Sequence, residues 1–101
     1  MRARNVPGVT QIQRLFRVSD PHGLHARVAV VIARAADQFE ADIVVHCGHV
    51  AASGRSLLGL LSLCAGPGEL LTIVAEGIDA EQSMRALEAL LRRHASMIGL
   101  Q

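Results

Sequence analysis

The feature that most constrains the fold of this chain is a change in the spacing of its apolar residues. In residues 11–18, QIQRLFRV, the apolar positions 12, 16 and 18 share one side of an extended chain, which predicts a strand. From Ala26 to Phe39 the apolar positions recur every three or four residues, which predicts an amphipathic helix. The chain is therefore expected to combine strands and helices in one fold.

The middle of the chain continues this mixture. Residues 42–47, DIVVHC, include several β-branched residues and predict a strand. Gly48 then predicts a turn into a second, weaker strand over residues 49–53. Residues 69–75, ELLTIVA, predict a buried strand. Residues 56–63, SLLGLLSL, are apolar enough for either state, but their leucine-rich composition favours a short helix.

The last predicted element is a helix that starts near Asp79, which Gln82 follows at capping-box spacing. Its apolar positions are Ala80, Met84, Leu87 and Leu91, and the tail SMIGLQ is expected to fray. The order is then β-α-β-β-α-β-α. We expect an α+β fold, a two-layer open-faced sandwich in which a four-stranded antiparallel sheet is covered on one face by three helices.

The length of 101 residues indicates one domain. Residues 1–10 contain Pro7 and Gly8 and are expected to form a flexible N-terminal extension, so the domain covers residues 11–101. Half of the residues are apolar and only 2% are aromatic, which predicts an aliphatic core.

Composition also argues against several classes of partner and location. A formal net charge of +1 with almost no aromatic residues does not suit binding of single-stranded nucleic acid. No apolar stretch is long enough to cross a bilayer, and the N-terminus lacks the apolar core of a signal peptide. We therefore expect a cytoplasmic protein without a membrane partner, in which Cys47 and Cys64 are reduced thiols.

The segment Asp20–Val30, DPHGLHARVAV, places two histidines and an arginine just before or at a predicted helix start. The start of a helix carries a partial positive charge, so cations there are normally unfavourable. We infer that the site receives an anion, namely a phosphoryl group carried on His25, while His22 is interpreted as a turn residue. The free amides of Ala26 and Arg27 would face that anion, and the Arg27 side chain would add a charge-assisted hydrogen bond.

Two motifs together resemble one known family. GLHARVAVVIARAADQF and GRSLLGLLSLCAGPGELLTIVAEGIDAEQSMRALEALL are similar to the HPr family, the histidine phosphocarriers of the bacterial sugar phosphotransferase system. The resemblance runs from about residue 11 to about residue 94. It implies the same fold as the order of elements does.

The resemblance also implies roles for individual residues. His25 corresponds to the phosphorylated histidine, Arg27 to the arginine beside it, and Ser56 to a serine that a dedicated kinase phosphorylates in many members. The phosphoryl group would come from phosphoenolpyruvate through enzyme I and pass to an EIIA domain. The chain would thus be a carrier rather than a stand-alone catalyst, with no cofactor. It departs from the family at Val28, where proline is usual; valine restores a backbone N–H that could also face the phosphate.

A docking surface is expected around Ser56, which could also be no more than a helix N-cap. We expect Leu60 and Leu63 to point into the core. The expected docking patch is apolar and exposed, and it consists of Val28, Leu57, Leu58 and Leu61. A phosphate on Ser56 would place about two negative charges beside this patch and weaken docking without unfolding the protein.

Two other functions remain open. One is a regulatory binding module of the same fold that acts through Ser56 and the leucines without phosphotransfer. The other is metal binding by His46, Cys47 and His49. Neighbouring residues of a strand point to opposite faces, and structural zinc usually needs four ligands, so we predict no metal site.

Overall fold

The computed structural model describes residues 10–94 and 97–100 of the chain. It contains five strands, β1 (Thr10–Val18), β2 (Asp42–Cys47), β3 (Val50–Ser53), β4 (Leu70–Gly77) and β5 (Met97–Gly99), and three helices, α1 (Ala26–Ala36), α2 (Leu57–Ser62) and α3 (Ala80–His94). The expected extension lies outside the described residues except for Thr10, which already pairs with Gly77 in the sheet.

The predicted α+β sandwich is confirmed. The strands lie in the order β3-β2-β4-β1-β5, and every neighbouring pair is antiparallel. Four of them form the expected sheet, with β4 inserted between β1 and β2. The expectation that the tail frays is wrong for its middle, because Met97–Gly99 pairs with the end of β1 and the Met97 side chain is buried.

The core lies between one face of the sheet and the three helices. Alternate side chains of β4, namely Leu71, Ile73 and Ala75, are buried, as expected for a strand with one covered face. The core is almost entirely aliphatic, and Phe16 is the aromatic side chain within it. None of the helices in the described part of the chain combines the length and apolar character that crossing a membrane requires.

The ambiguous segment 56–63 is a helix, as its composition favoured. Ser56 has an extended backbone and forms the N-cap of α2, where its hydroxyl accepts a hydrogen bond from the Gly59 N–H at 3.0 Å. This bond satisfies one of the amides that a helix start leaves unpaired. The apolar phase of α2 then places Leu60 and Leu63 in the core, as predicted.

Asp79 ties the start of α3 to the loop between α1 and β2. Its carboxylate accepts hydrogen bonds from the backbone N–H of Glu40 at 2.9 Å and of Ala41 at 2.8 Å. Gly77 packs closely on the same loop, since a Cβ at Gly77 would lie 2.8 Å from the Ala41 Cα. One carboxylate thus joins two connections at the end of the sheet where β1 begins.

The substitution Asp79→Ala is expected to lower the free energy of unfolding by about 1–3 kcal/mol, because it leaves two backbone donors without their partner. Urea unfolding monitored by circular dichroism measures the change. Asp37→Ala is the matched control: that carboxylate is 81% exposed and its ion pair with Arg55 spans 3.9 Å, so its removal should change stability by no more than about 0.5 kcal/mol. Equal losses in the two variants would contradict this role of Asp79.

Candidate phosphorylation site

His25 forms the N-cap of α1, at the point where the chain leaves the loop that follows β1. Its backbone is extended, with φ −101° and ψ −177°, and its ring Nδ1 accepts a hydrogen bond from the Arg27 N–H at 3.3 Å. The ring is partly shielded, with 28% of the side chain exposed. His25 therefore lies at a helix start, as predicted.

A close contact between two loops holds the segment before His25 in place. Gly23 has a φ of +70°, and a Cβ at this position would lie 2.6 Å from the Ala65 carbonyl oxygen. The next residue, Leu24, is buried and donates its N–H to the same oxygen at 2.8 Å. The segment is thus fixed against the residues that follow α2, and only glycine fits both the conformation and the space.

Asp20 is the functional residue that the sequence analysis missed. Its side chain is only 7% exposed, and one carboxylate oxygen, Oδ2, lies 3.2 Å from Nε2 of His25. The other oxygen accepts the His22 N–H at 2.8 Å and lies 3.3 Å from the His22 Nδ1. The backbone donor of His22, followed by the ring of His25, holds the pKa of the Asp20 carboxyl below its ordinary value.

These two hydrogen bonds select one tautomer of the His25 ring. An ionised carboxylate can only accept, so the proton must lie on Nε2. The Arg27 N–H can only donate, so Nδ1 must carry a free electron pair. Both conditions describe the same tautomer of the imidazole, in which Nδ1 carries the free electron pair and faces the helix start.

The start of α1 has the electrostatics of an anion site. The first amides of the helix, at Ala26, Arg27 and Val28, have no partner within the helix, and the first turn contains no acidic residue. The Arg27 guanidinium is largely exposed, and its Nη2 lies 4.0 Å from Asp20 Oδ2. A phosphoryl group on Nδ1 would therefore meet backbone donors and a mobile cation.

The placement of Val28 in the docking patch is wrong. Its side chain is fully buried, in line with the other inward residues of α1, because the helical phase turns it toward the core. The Val28 side chain therefore contributes packing to the core.

The leucines of α2 are exposed to different degrees. Leu58 is 77% exposed, Leu57 is partly exposed and Leu61 is half-buried. The helix α2 runs from Ser56 toward the Ala65 loop that contacts Gly23. Ser56 itself is half-buried and lies at the far end of the helix. From here on, the docking patch means Leu57, Leu58 and Leu61.

The segment around His46, Cys47 and His49 does not form a ligand cluster. Within residues 10–94 and 97–100, the group of potential metal ligands that do lie close together is Asp20, His22 and His25. His46 is exposed on β2, while the Cys47 Sγ contacts Glu69 Oε1 at 3.6 Å. Burial and the neighbouring carboxylate raise the pKa of the Cys47 thiol, which disfavours the thiolate that a metal requires. Both cysteines are free.

Comparison with known proteins places the chain in one family. Residues 12–93 match the family model described as PTS HPr component phosphorylation site. The chain is similar to the phosphocarrier protein NPr of Shewanella violacea, with 37% identity over 82% of this chain and 91% of that protein. It is also similar to the phosphocarrier protein HPr of Mycoplasma pneumoniae, with 37% identity over 76% of this chain and 89% of that protein.

A solved structure agrees with this result. The crystal structure of a phosphocarrier protein HPr from Bacillus anthracis superimposes with a TM-score of 0.72 and 36% identity, over 79% of this chain and 95% of that one. The chain therefore belongs to the HPr family of phosphocarrier proteins.

Proposed function

We propose that this protein accepts a phosphoryl group from phospho-enzyme I on Nδ1 of His25 and passes it to an EIIA domain. The observation that carries the proposal is the orientation of the His25 ring, whose Nε2 is held by Asp20 while Nδ1 accepts the Arg27 N–H at the start of α1. A carrier charged from phosphoenolpyruvate would act in the cytoplasm, where that donor is made. Membership of the phosphocarrier family supports the same reading.

The transfer step needs little from the protein beyond position and charge. The Nδ1 electron pair of His25 forms the new N–P bond as the bond between phosphorus and the donor histidine breaks. The ring keeps its proton on Nε2 and becomes positively charged, and the buried Asp20 carboxylate faces that charge. The Arg27 N–H, released from Nδ1, can then donate to a phosphoryl oxygen. Onward transfer reverses these changes.

We propose the docking patch as the surface that meets both partners. The Leu58 side chain is 77% exposed, and α2 runs from it toward the loop whose Ala65 carbonyl binds the Leu24 N–H, next to His25. Phosphorylation of Ser56 by a dedicated kinase would place negative charge beside Leu57 and Leu58. It would thereby lower the affinity for partner proteins while Leu60 and Leu63 stay packed in the core.

His25→Ala is expected to abolish phosphoryl acceptance. Wild-type protein incubated with phosphoenolpyruvate and its cognate enzyme I should gain one phosphoryl group by intact mass, and acid but not base should remove it. His46→Ala, which changes an exposed histidine on β2, is the control and should accept one phosphoryl group as the wild type does. Absence of a mass gain in the wild type with an active donor would overturn the carrier function and favour the regulatory binding module.

Asp20→Asn is expected to slow phosphoryl acceptance by His25 roughly ten- to a hundredfold, because the ring loses the group that fixes its tautomer and faces its positive charge. Rapid-quench measurement of the transfer from phospho-enzyme I gives the rate. The ¹⁵N chemical shifts of the His25 ring should show the Nε2–H form in the wild type and a mixture of tautomers in the variant. Asp42→Asn, at a carboxylate that is 89% exposed, should alter neither quantity.

A purely structural Asp20 would give a different result. The variant would lose stability in urea while the folded fraction kept the wild-type tautomer and transfer rate. Such an outcome would remove Asp20 from the mechanism and leave His25 in it.

Leu58→Ala is expected to weaken the binding of enzyme I by about 1 kcal/mol, roughly fivefold in Kd, because it removes an exposed apolar contact. Ser56→Asp should weaken binding further and keep a folded circular dichroism spectrum, since aspartate is also a good N-cap. Isothermal titration calorimetry measures both.

The matched control is Ile78→Ala. Ile78 is 72% exposed, similar to Leu58, but it follows the end of β4 that pairs with the start of β1, away from His25. Its substitution should leave the affinity unchanged. Equal losses for Leu58 and Ile78 would show that the docking patch has no special role.

A further inference from the structure

The loop before α1 brings three metal-ligating side chains together. Asp20, His22 and His25 each offer one donor atom, and these atoms all lie within 4.8 Å of one another. Asp20 Oδ1 lies 3.3 Å from Nδ1 of His22, and Asp20 Oδ2 lies 3.2 Å from Nε2 of His25. Ligands that hold one Zn²⁺ tetrahedrally at about 2.0–2.1 Å are about 3.3 Å apart, and each imidazole lies at about this distance from one oxygen of the Asp20 carboxylate.

We propose that Asp20, His22 and His25 form a binding site for a divalent transition metal ion of the Zn²⁺ or Co²⁺ type. Two imidazoles and one carboxylate suit these ions rather than Mg²⁺ or Ca²⁺, which prefer oxygen ligands. Three protein ligands leave a fourth position for water, the arrangement found in catalytic zinc sites. The site is distinct from the one first considered at His46, Cys47 and His49.

The loop is largely organised before a metal arrives. Asp20 is buried and its carboxylate is fixed by the His22 N–H, and Gly23 is held against the Ala65 carbonyl. His25 is fixed at the helix start, whereas the His22 side chain is 82% exposed and free to rotate onto the ion. Binding therefore orders mainly one side chain.

Two features of the site oppose the metal and limit its affinity. The Arg27 guanidinium lies 4.0 Å from Asp20 Oδ2, although its exposure allows it to move away. Coordination by Nε2 of His25 also transfers the ring proton to Nδ1, which breaks the hydrogen bond from the Arg27 N–H. That bond is long, at 3.3 Å, so its loss is a small cost.

The transfer of the proton has a consequence for phosphotransfer, which rests on the proposed function. Nδ1 loses its free electron pair when Nε2 binds the metal, so the ring is no longer a nucleophile. The metal and the phosphoryl group thus exclude each other at His25, although they bind to different nitrogen atoms. A metal ion at this site would switch the carrier off.

The binding experiment uses the full chain without an affinity tag and needs no partner protein. Titration with CoCl₂ should give visible absorption bands that saturate at one equivalent, and paramagnetic broadening should affect the ring signals of His22 and His25. His22→Asn should weaken Co²⁺ and Zn²⁺ binding by at least about tenfold, and the control His46→Asn should leave it unchanged. Broadening confined to His46 or His49, or an unchanged affinity of His22→Asn, would overturn the site.

A second measurement tests the switch separately. Phosphoryl acceptance from phospho-enzyme I is measured with one equivalent of ZnCl₂ and with a chelator, and each protein is compared with itself. Zinc should suppress acceptance by the wild type at least about tenfold and have much less effect on His22→Asn. Metal binding without suppression would overturn the switch and retain the site. Failure of acceptance even with the chelator would instead refute the proposed phosphotransfer.

Discussion

The contact between Gly23 and the Ala65 carbonyl determines where everything in the site lies. This contact closes the loop after β1 against the loop after α2, and α1 begins at Ala26, two residues after Leu24. His25 must then be the N-cap, with an extended backbone and a ring that faces the first turn. The two packed loops therefore set the position of His25 in the chain, and the Asp20 carboxylate and the Arg27 N–H then orient its ring.

The buried carboxylate of Asp20 explains how a basic cluster can lie at the positive end of a helix. His22, His25 and Arg27 all contact or approach this carboxylate, whereas the first turn of α1 carries no acidic residue. Asp20 supplies the negative charge from outside the helix, and it does so on the side of the ring opposite to the helix amides. The amide side therefore stays available for an incoming anion, while Asp20 stabilises the basic cluster in the unphosphorylated protein.

The parts of the site that depend on neighbouring residues could be predicted from the sequence, and the parts that depend on tertiary contacts could not. An N-cap requires only the residues beside it, so His25 and Ser56 were both predicted at helix starts. Val28 was assigned to the surface because it is next to the motif, but the phase of the helix decides its direction.

Asp20 and β5 were missed for different reasons. The Asp-Pro-His-Gly sequence predicts a turn, and a carboxylate that bonds the N–H two residues later is common in such turns. That signal fixes the side chain of Asp20 but does not show that it reaches the His25 ring, which requires the loop to fold back. The β5 segment has only three residues, too few to show a periodic pattern. It is a strand because it pairs with the end of β1 at the edge of the sheet.

A single proton on the His25 ring links the chemistry of the site to its geometry. While the proton is on Nε2, Asp20 accepts it and Nδ1 keeps the electron pair that the proposed phosphotransfer requires. Any ligand that takes the electron pair of Nε2 moves the proton to Nδ1 and closes the site, even though it never touches the helix amides. Asp20 thus accepts the Nε2 proton in the metal-free protein and would become a ligand beside Nε2 in the proposed metal site, to which His22 adds the third donor. A member of this family with Asp20 but no ligand at position 22 would keep the first property without the second.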